Sequence, residues 1–119
     1  MPAIARTGEG LRAARTHTRD VCRRHDVVPE RADDAVTIVS ELIGNAIRHG
    51  KQPCAYAVCM DLDDVLITVD DAERTGPASG CPGGNLAESG RGLFIVASLA
   101  RHWGWMPCGS GGKRVWARV

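Results

Sequence analysis

Glu41-Leu42-Ile43-Gly44-Asn45-Ala46-Ile47-Arg48-His49-Gly50 closes an apolar-periodic run that opens near Arg31. Ala32, Ala35, Val36, Val39, Leu42, Ile43, Ala46 and Ile47 recur at helical spacing, which places them on one buried stripe. Glu41, Asn45 and His49 follow one another at intervals of four, so they stand one turn above the next on a shared helix face. The helix thus presents a carboxylate, a carboxamide and an imidazole in a row. The carboxylate and the amide oxygen suit a hard cation such as Mg²⁺, which keeps its waters and binds phosphates. Gly50 follows as the C′ residue that ends the helix.

Working outward, Leu11, Ala14, Thr18, Val21 and Cys22 predict an earlier helix over 8–25, with arginines on its other face. Asp26 to Pro29 is a connector, with Pro29 as the first residue of the long helix and Glu30 in its first turn. Beyond Pro53 the period changes. Residues 55–60 read as a mostly buried strand, Asp61 to Asp64 as a polar turn, and Val65 to Val69 as a second strand ending in Asp70-Asp71. Residues 72–89 carry glycines and prolines that break any periodicity, and a loop of that length in a compact domain suggests function. A third helix is expected from Arg91, with Gly104 at its end, followed by strands at 105–108 and 113–119 across a turn at 109–112. This order predicts an α+β fold, a two-layer α/β sandwich with helices on one face of a mostly antiparallel sheet.

With 119 residues, the chain is expected to be a single domain, 1–119. Apolar residues at 44% and charged residues at 24% are ordinary for a globular protein, so no staple is needed to hold the core. A net charge of +1 supplies no global field for nucleic acid or a membrane surface. Up to Arg31 seven arginines face four acids, while Asp61 to Glu73 is acidic; both read as solvated surface or as a docking face for a charged partner protein. Cysteines at 22, 54, 59, 81 and 108 fit no zinc spacing and are expected as buried thiols of a reducing cytosol. No leader-like apolar segment and no membrane-length apolar run occur, so a cytoplasmic location is expected.

Two further features carry chemistry. Glu88-Ser89-Gly90-Arg91-Gly92-Leu93 joins the glycine-rich loop to the third helix, where close backbone approach and the helix N-terminus suit a phosphate. Asp71 ends a strand just before that loop, and a carboxylate there can accept a hydrogen bond from an exocyclic amine. His49 reads equally as a cap favoured by the helix dipole or as a ligand contact. His17, His25 and His102 have no ligand spacing, Ser40 lies mid-helix without a nucleophile elbow, and the three tryptophans read as packing residues.

Together these stretches resemble the GHKL nucleotide-binding fold (the Bergerat type). ELIGNAIRHG looks like its N box, Asp71 falls at its G1 aspartate, and SGRGL looks like its G2 box. The resemblance covers nearly the whole chain. It is closest to the small single-domain branch of anti-sigma factor/serine-protein kinases, in its short actinobacterial form, whose last strand GGKRVWARV also resembles.

The resemblance implies ATP and Mg²⁺ as cofactors. Asn45 would hold the metal, Glu41 would be the general base, and Asp71 would bind the adenine amine. Gly90, Arg91, Gly92 and Leu93 would cradle phosphates through backbone amides, and residues 72–89 would form a lid. It also implies a transcription regulator that binds a sigma factor or an anti-sigma antagonist protein, sometimes as a homodimer, and phosphorylates the antagonist on serine. A plain ATPase and a non-catalytic interaction module are the alternatives. Two positions depart from the pattern: Glu73 stands where the G1 box usually has glycine, and Arg114 where the last strand usually has threonine. Arg114 is expected to pair with Asp71 and compete with adenine.

Overall fold

The computed structural model describes residues 3–4, 8–49, 54–71, 88–107 and 112–119. In chain order they form β1 (Ala3–Ile4), α1 (Gly8–Arg24), α2 (Pro29–His49), β2 (Cys54–Asp61), β3 (Asp64–Asp71), α3 (Glu88–Leu99), β4 (His102–Pro107) and β5 (Lys113–Arg118). The strands make one sheet in the order β1-β2-β3-β5-β4, with every neighbouring pair antiparallel. The expected α+β sandwich is present.

Period-two alternation decides which face of the sheet is covered. Val65, Ile67 and Val69 on β3 and Val115 and Ala117 on β5 are buried, while their neighbours Leu66, Thr68, Arg114 and Trp116 are half-exposed. The buried face meets the helices in a single apolar cluster that includes Ile38, Val39, Leu42 and Ile43 of α2 and Leu93 and Val96 of α3. Helix α2 is the centre of this layer, since it packs against α1, α3, β2 and β3. Its stripe is therefore wider than the periodic positions alone: Ile38 is fully buried too. No described helix is long and apolar enough to cross a membrane.

Local chemistry sets the element ends. The Ala32 amide donates to the Val28 carbonyl at 3.0 Å, so Pro29 is the first helical residue of α2, where its missing N–H costs nothing. Helix α1 closes with Val27 N–H bonded to Cys22 O at 3.0 Å and Asp26 N–H to Arg23 O at 3.3 Å, with Asp26 at φ 55°. That is a Schellman ending with aspartate in the left-handed position usually given to glycine.

Four expectations need correction. Strand β1 adds a first edge that two residues could not announce by periodicity. Helix α3 starts at Glu88 and stops at Leu99, so only residues 72–87 of the expected lid lie outside the helix, and these lie outside the described residues. Gly104 does not end a helix but sits inside β4 opposite Trp116. A Cβ there would stand 3.0 Å from the Trp116 ring, so the absent side chain makes room for the indole. Among the cysteines, Cys22 is buried as expected but Cys59 is exposed on the uncovered face of the sheet.

Candidate functional site

Glu41 and Asn45 flank the buried stripe of α2 as half-buried residues, one turn apart. Opposite them stands Gly92 of α3. A Cβ on Gly92 would lie 3.2 Å from Glu41 Oε2, 3.6 Å from Asn45 Oδ1 and 3.8 Å from Asn45 Cγ. The structure therefore brings the carboxylate, the carboxamide and the glycine of two separate sequence stretches to one place. Glu41 makes no hydrogen bond or ion pair among the described residues. Asn45 Oδ1 accepts one hydrogen bond, from Arg48 Nη2 at 3.0 Å.

Gly90, Arg91, Gly92 and Leu93 fall within α3 rather than in a turn before it. Only the first few amides of an α-helix are free. The amides near Glu88 to Gly90 can still face an anion, but Gly92 and Leu93 come late enough for theirs to be bonded within the helix. Gly92 contributes a missing side chain rather than a donor. Leu93 is buried at 4% exposure and belongs to the core. Its side chain holds α3 against α2.

Asp71 is the last residue of β3 and His49 the last of α2, and the side chains of both lie outside the described residues. In register, Asp71 is opposite Lys113 and Asp70 is opposite Arg114. Position 71 has the parity of Val65, Ile67 and Val69, and position 113 that of Val115 and Ala117. The expected pairing of Arg114 with Asp71 falls on a side chain outside the described residues. The Arg114 guanidinium binds both carboxylate oxygens of Asp70, Nε–Oδ1 at 2.7 Å and Nη2–Oδ2 at 2.9 Å, on the uncovered side of the sheet. Lys113, which the sequence reading passed over, is 8% exposed. The alternation of Lys113, Val115 and Ala117 was the available signal, since it places a lysine on the helix side of β5. Glu73 lies outside the described residues.

The donor set fits a cation that arrives with phosphates, not a caged one. Among the described residues no group of three His, Cys, Asp or Glu converges as a metal site. One amide oxygen and one free carboxylate, beside a space that a single Cβ would fill, match the sparse protein ligation that Mg²⁺ accepts when phosphates complete its shell. Residues 4–119 match the family model described as the histidine kinase-like ATPase domain. No curated relative matches the chain.

Proposed function

The chain belongs to the histidine kinase-like ATPase domain family, a family of ATP-binding domains, and on that premise we propose that it is a regulatory serine kinase. Its substrate is a serine on an antagonist protein of the anti-sigma type, and its partners are that antagonist and a sigma factor. The observation that carries this reading is the convergence of Glu41 and Asn45 on Gly92.

In this reading Asp71, at the end of β3, accepts the adenine amine, and the first amides of α3 face the phosphates. Asn45 would hold Mg²⁺, whose charge would offset that on the phosphate oxygens. Glu41 takes the serine proton as the hydroxyl oxygen bonds to the γ-phosphorus and the bond to the β-phosphate oxygen breaks, releasing ADP. A carboxylate with no ion-pair partner among the described residues is suited to that role, because none of those contacts must be broken before it accepts the proton.

The test has two parts. Calorimetry with Mg·ATP should give saturable binding by the wild type and at least about tenfold weaker binding by Asn45→Ala, the scale of a lost charge-assisted contact. Radiolabel from γ-labelled ATP should pass to a co-purified protein and be lost in Glu41→Ala. Equal binding by wild type and Asn45→Ala would remove the nucleotide reading. Release of free phosphate with no labelled protein would replace the kinase by a plain ATPase, and binding without turnover would leave a non-catalytic module.

A further inference from the structure

Strand β4 is one edge of the sheet, and its hydrogen-bonding direction follows from its neighbours. Val65 and Val119 exchange both main-chain bonds, at 3.1 and 2.9 Å. Bonded pairs recur at every second residue of an antiparallel ladder, so the bonded pairs of β3 and β5 are Ile67–Ala117, Val69–Val115 and Asp71–Lys113. The even residues of β5 therefore turn their main chain to β4, where they meet His102, Gly104 and Met106. The odd residues of β4 face the other way. The N–H and C=O groups of Trp103 and Trp105 point off the edge, where no described strand meets them. Pro107 ends the row, because it has no N–H. Soluble proteins guard such edges with lysines, bulges or prolines. Between Arg101 and Pro107 this edge carries no permanently charged side chain, and Trp105 and Met106 are exposed.

We propose that β4 pairs with β4 of a second copy of this chain, antiparallel about a two-fold axis at Gly104. The stretch Trp103-Gly104-Trp105 is symmetric about that glycine. In this register each Trp103 stands opposite a Trp105 of the other copy, and all four outward N–H and C=O groups of each strand find complements. A slip either way loses bonds. Centring on Trp105 sets Trp103 against Pro107, which has no N–H to give. Centring on Trp103 sets Trp105 against Arg101, whose N–H is already held by Arg118 O at 2.7 Å. The side chains agree with the main chain. Trp103 and Trp105 lie opposite Ala117 and Val115, on the helix side of the sheet, so the axis creates two aromatic cross-strand pairs. Two five-stranded sheets become one, with both helix layers on the same side. Helix α3, which packs against β4 and carries the exposed Phe94, flanks the axis there. The proposal does not rest on the nucleotide reading.

The experiment is sedimentation equilibrium of the whole chain, reduced and without nucleotide, with circular dichroism to check folding. A contact this short belongs with small interfaces, so wild type should dimerise with a Kd on the order of 1–100 µM. Trp105→Pro removes an outward N–H and leaves the bonds to β5 in place, while Trp105→Lys keeps the main chain and charges the edge. Each should weaken the dimer at least about tenfold. Leu66→Lys, on the uncovered face of the sheet, should leave it unchanged. Register is read separately. His102→Cys and Met106→Cys, each made with Cys59→Ser, are mixed and oxidised. Across the axis these two positions form a non-hydrogen-bonded pair with Cα atoms about 4.5 Å apart, within disulfide reach. Peptide masses should show a 102–106 link that forms only on mixing. Wild type that stays monomeric up to about 500 µM overturns the proposal and leaves the edge to an extended segment of another protein. A dimer that both folded Trp105 variants retain, or that folded Leu66→Lys loses, also overturns it. So do links at 102–102 or 106–106 in place of 102–106. If the Trp105 variants do not fold, the link decides alone.

Discussion

At the scale of single residues, Gly92 separates stability from function. It lies inside α3, where alanine would favour the helix by up to about 1 kcal/mol. Yet its Cβ would stand only 3.2 Å from Glu41 Oε2, so the carboxylate would have to shift. Gly92→Ala should therefore raise or preserve the unfolding midpoint while cutting phosphate transfer by at least about tenfold, the cost expected of a misplaced catalytic group. Parallel loss of both would mean that the glycine serves packing alone. Two buried acids set a second expectation. Burial raises Tyr56, whose hydroxyl meets His17 Nδ1 at 2.9 Å, and burial also raises Cys22, outweighing the opposing pull of Arg31 and Arg19. Both groups are held neutral in the fold, so their stabilisation is complete below their unfolded values and is lost as pH climbs through the raised ones. Denaturant midpoints should fall above roughly pH 8.5–10, and the fall should be shallower in Tyr56→Phe with Cys22→Ala. An equally steep fall in that double variant would place the alkaline sensitivity elsewhere. The i,i+4 spacing of Glu41 and Asn45 was enough to put them together. Nothing local could show that Gly92 faces them by lacking a side chain, or that Arg114 turns to Asp70, because both facts are made by tertiary contact and strand register.

At the scale of elements, legibility follows periodicity. Helix α2 announces itself through a long run of apolar repeats, and its proline start is read from chemistry that acts locally. Strands β2, β3 and β5 alternate clearly, and the first two differ from expectation only at their ends. Helix α3 is blurred by the glycines and serine of its first turn, which have weak intrinsic preference and take their helix from packing against α2. The element ends also carry testable strain. Asp26 at φ 55° closes α1, and Leu62, 90% exposed, forms the β2–β3 turn at φ 57°. Neither left-handed position is natural for a residue with a Cβ, and leucine has no polar side chain to compensate. Asp26→Gly should stabilise by about 0.5 kcal/mol and Leu62→Gly by about 0.5–1 kcal/mol, the left-handed strain less the added freedom of glycine in the unfolded chain. Thermal melts check both; a lowered midpoint for Leu62→Gly would show that the turn tolerates leucine without strain.

At the scale of the whole molecule, the proposed nucleotide would have to reach three separately held elements. Asn45 and Glu41 belong to α2, Asp71 to the end of β3, and the free amides to the start of α3. The helix pair is held by apolar packing and the sheet by its ladder, but the first turn of α3 and the end of β3 are the two limits of the chain segment 72–87. A nucleotide that touches all three would tie the helix layer to the sheet at that end. Ligand that binds only the folded state adds RT ln(1 + [L]/Kd) to stability, about 2.7 kcal/mol at a hundredfold excess over Kd. For a chain of this size that corresponds to a rise of roughly 8–16 °C in Tm. The rise should grow with the logarithm of Mg·ATP concentration, shrink when the metal is chelated, and fall to about half or less in Asn45→Ala. Hydrogen exchange gives the spatial form of the same expectation: amides at Glu88 to Gly90 and at the end of β3 should gain protection together on loading, while those of β4, at the far edge of the sheet, should not. Protection confined to α2, with β3 and α3 unchanged, would show that the ligand sits on one helix and does not bridge the layers.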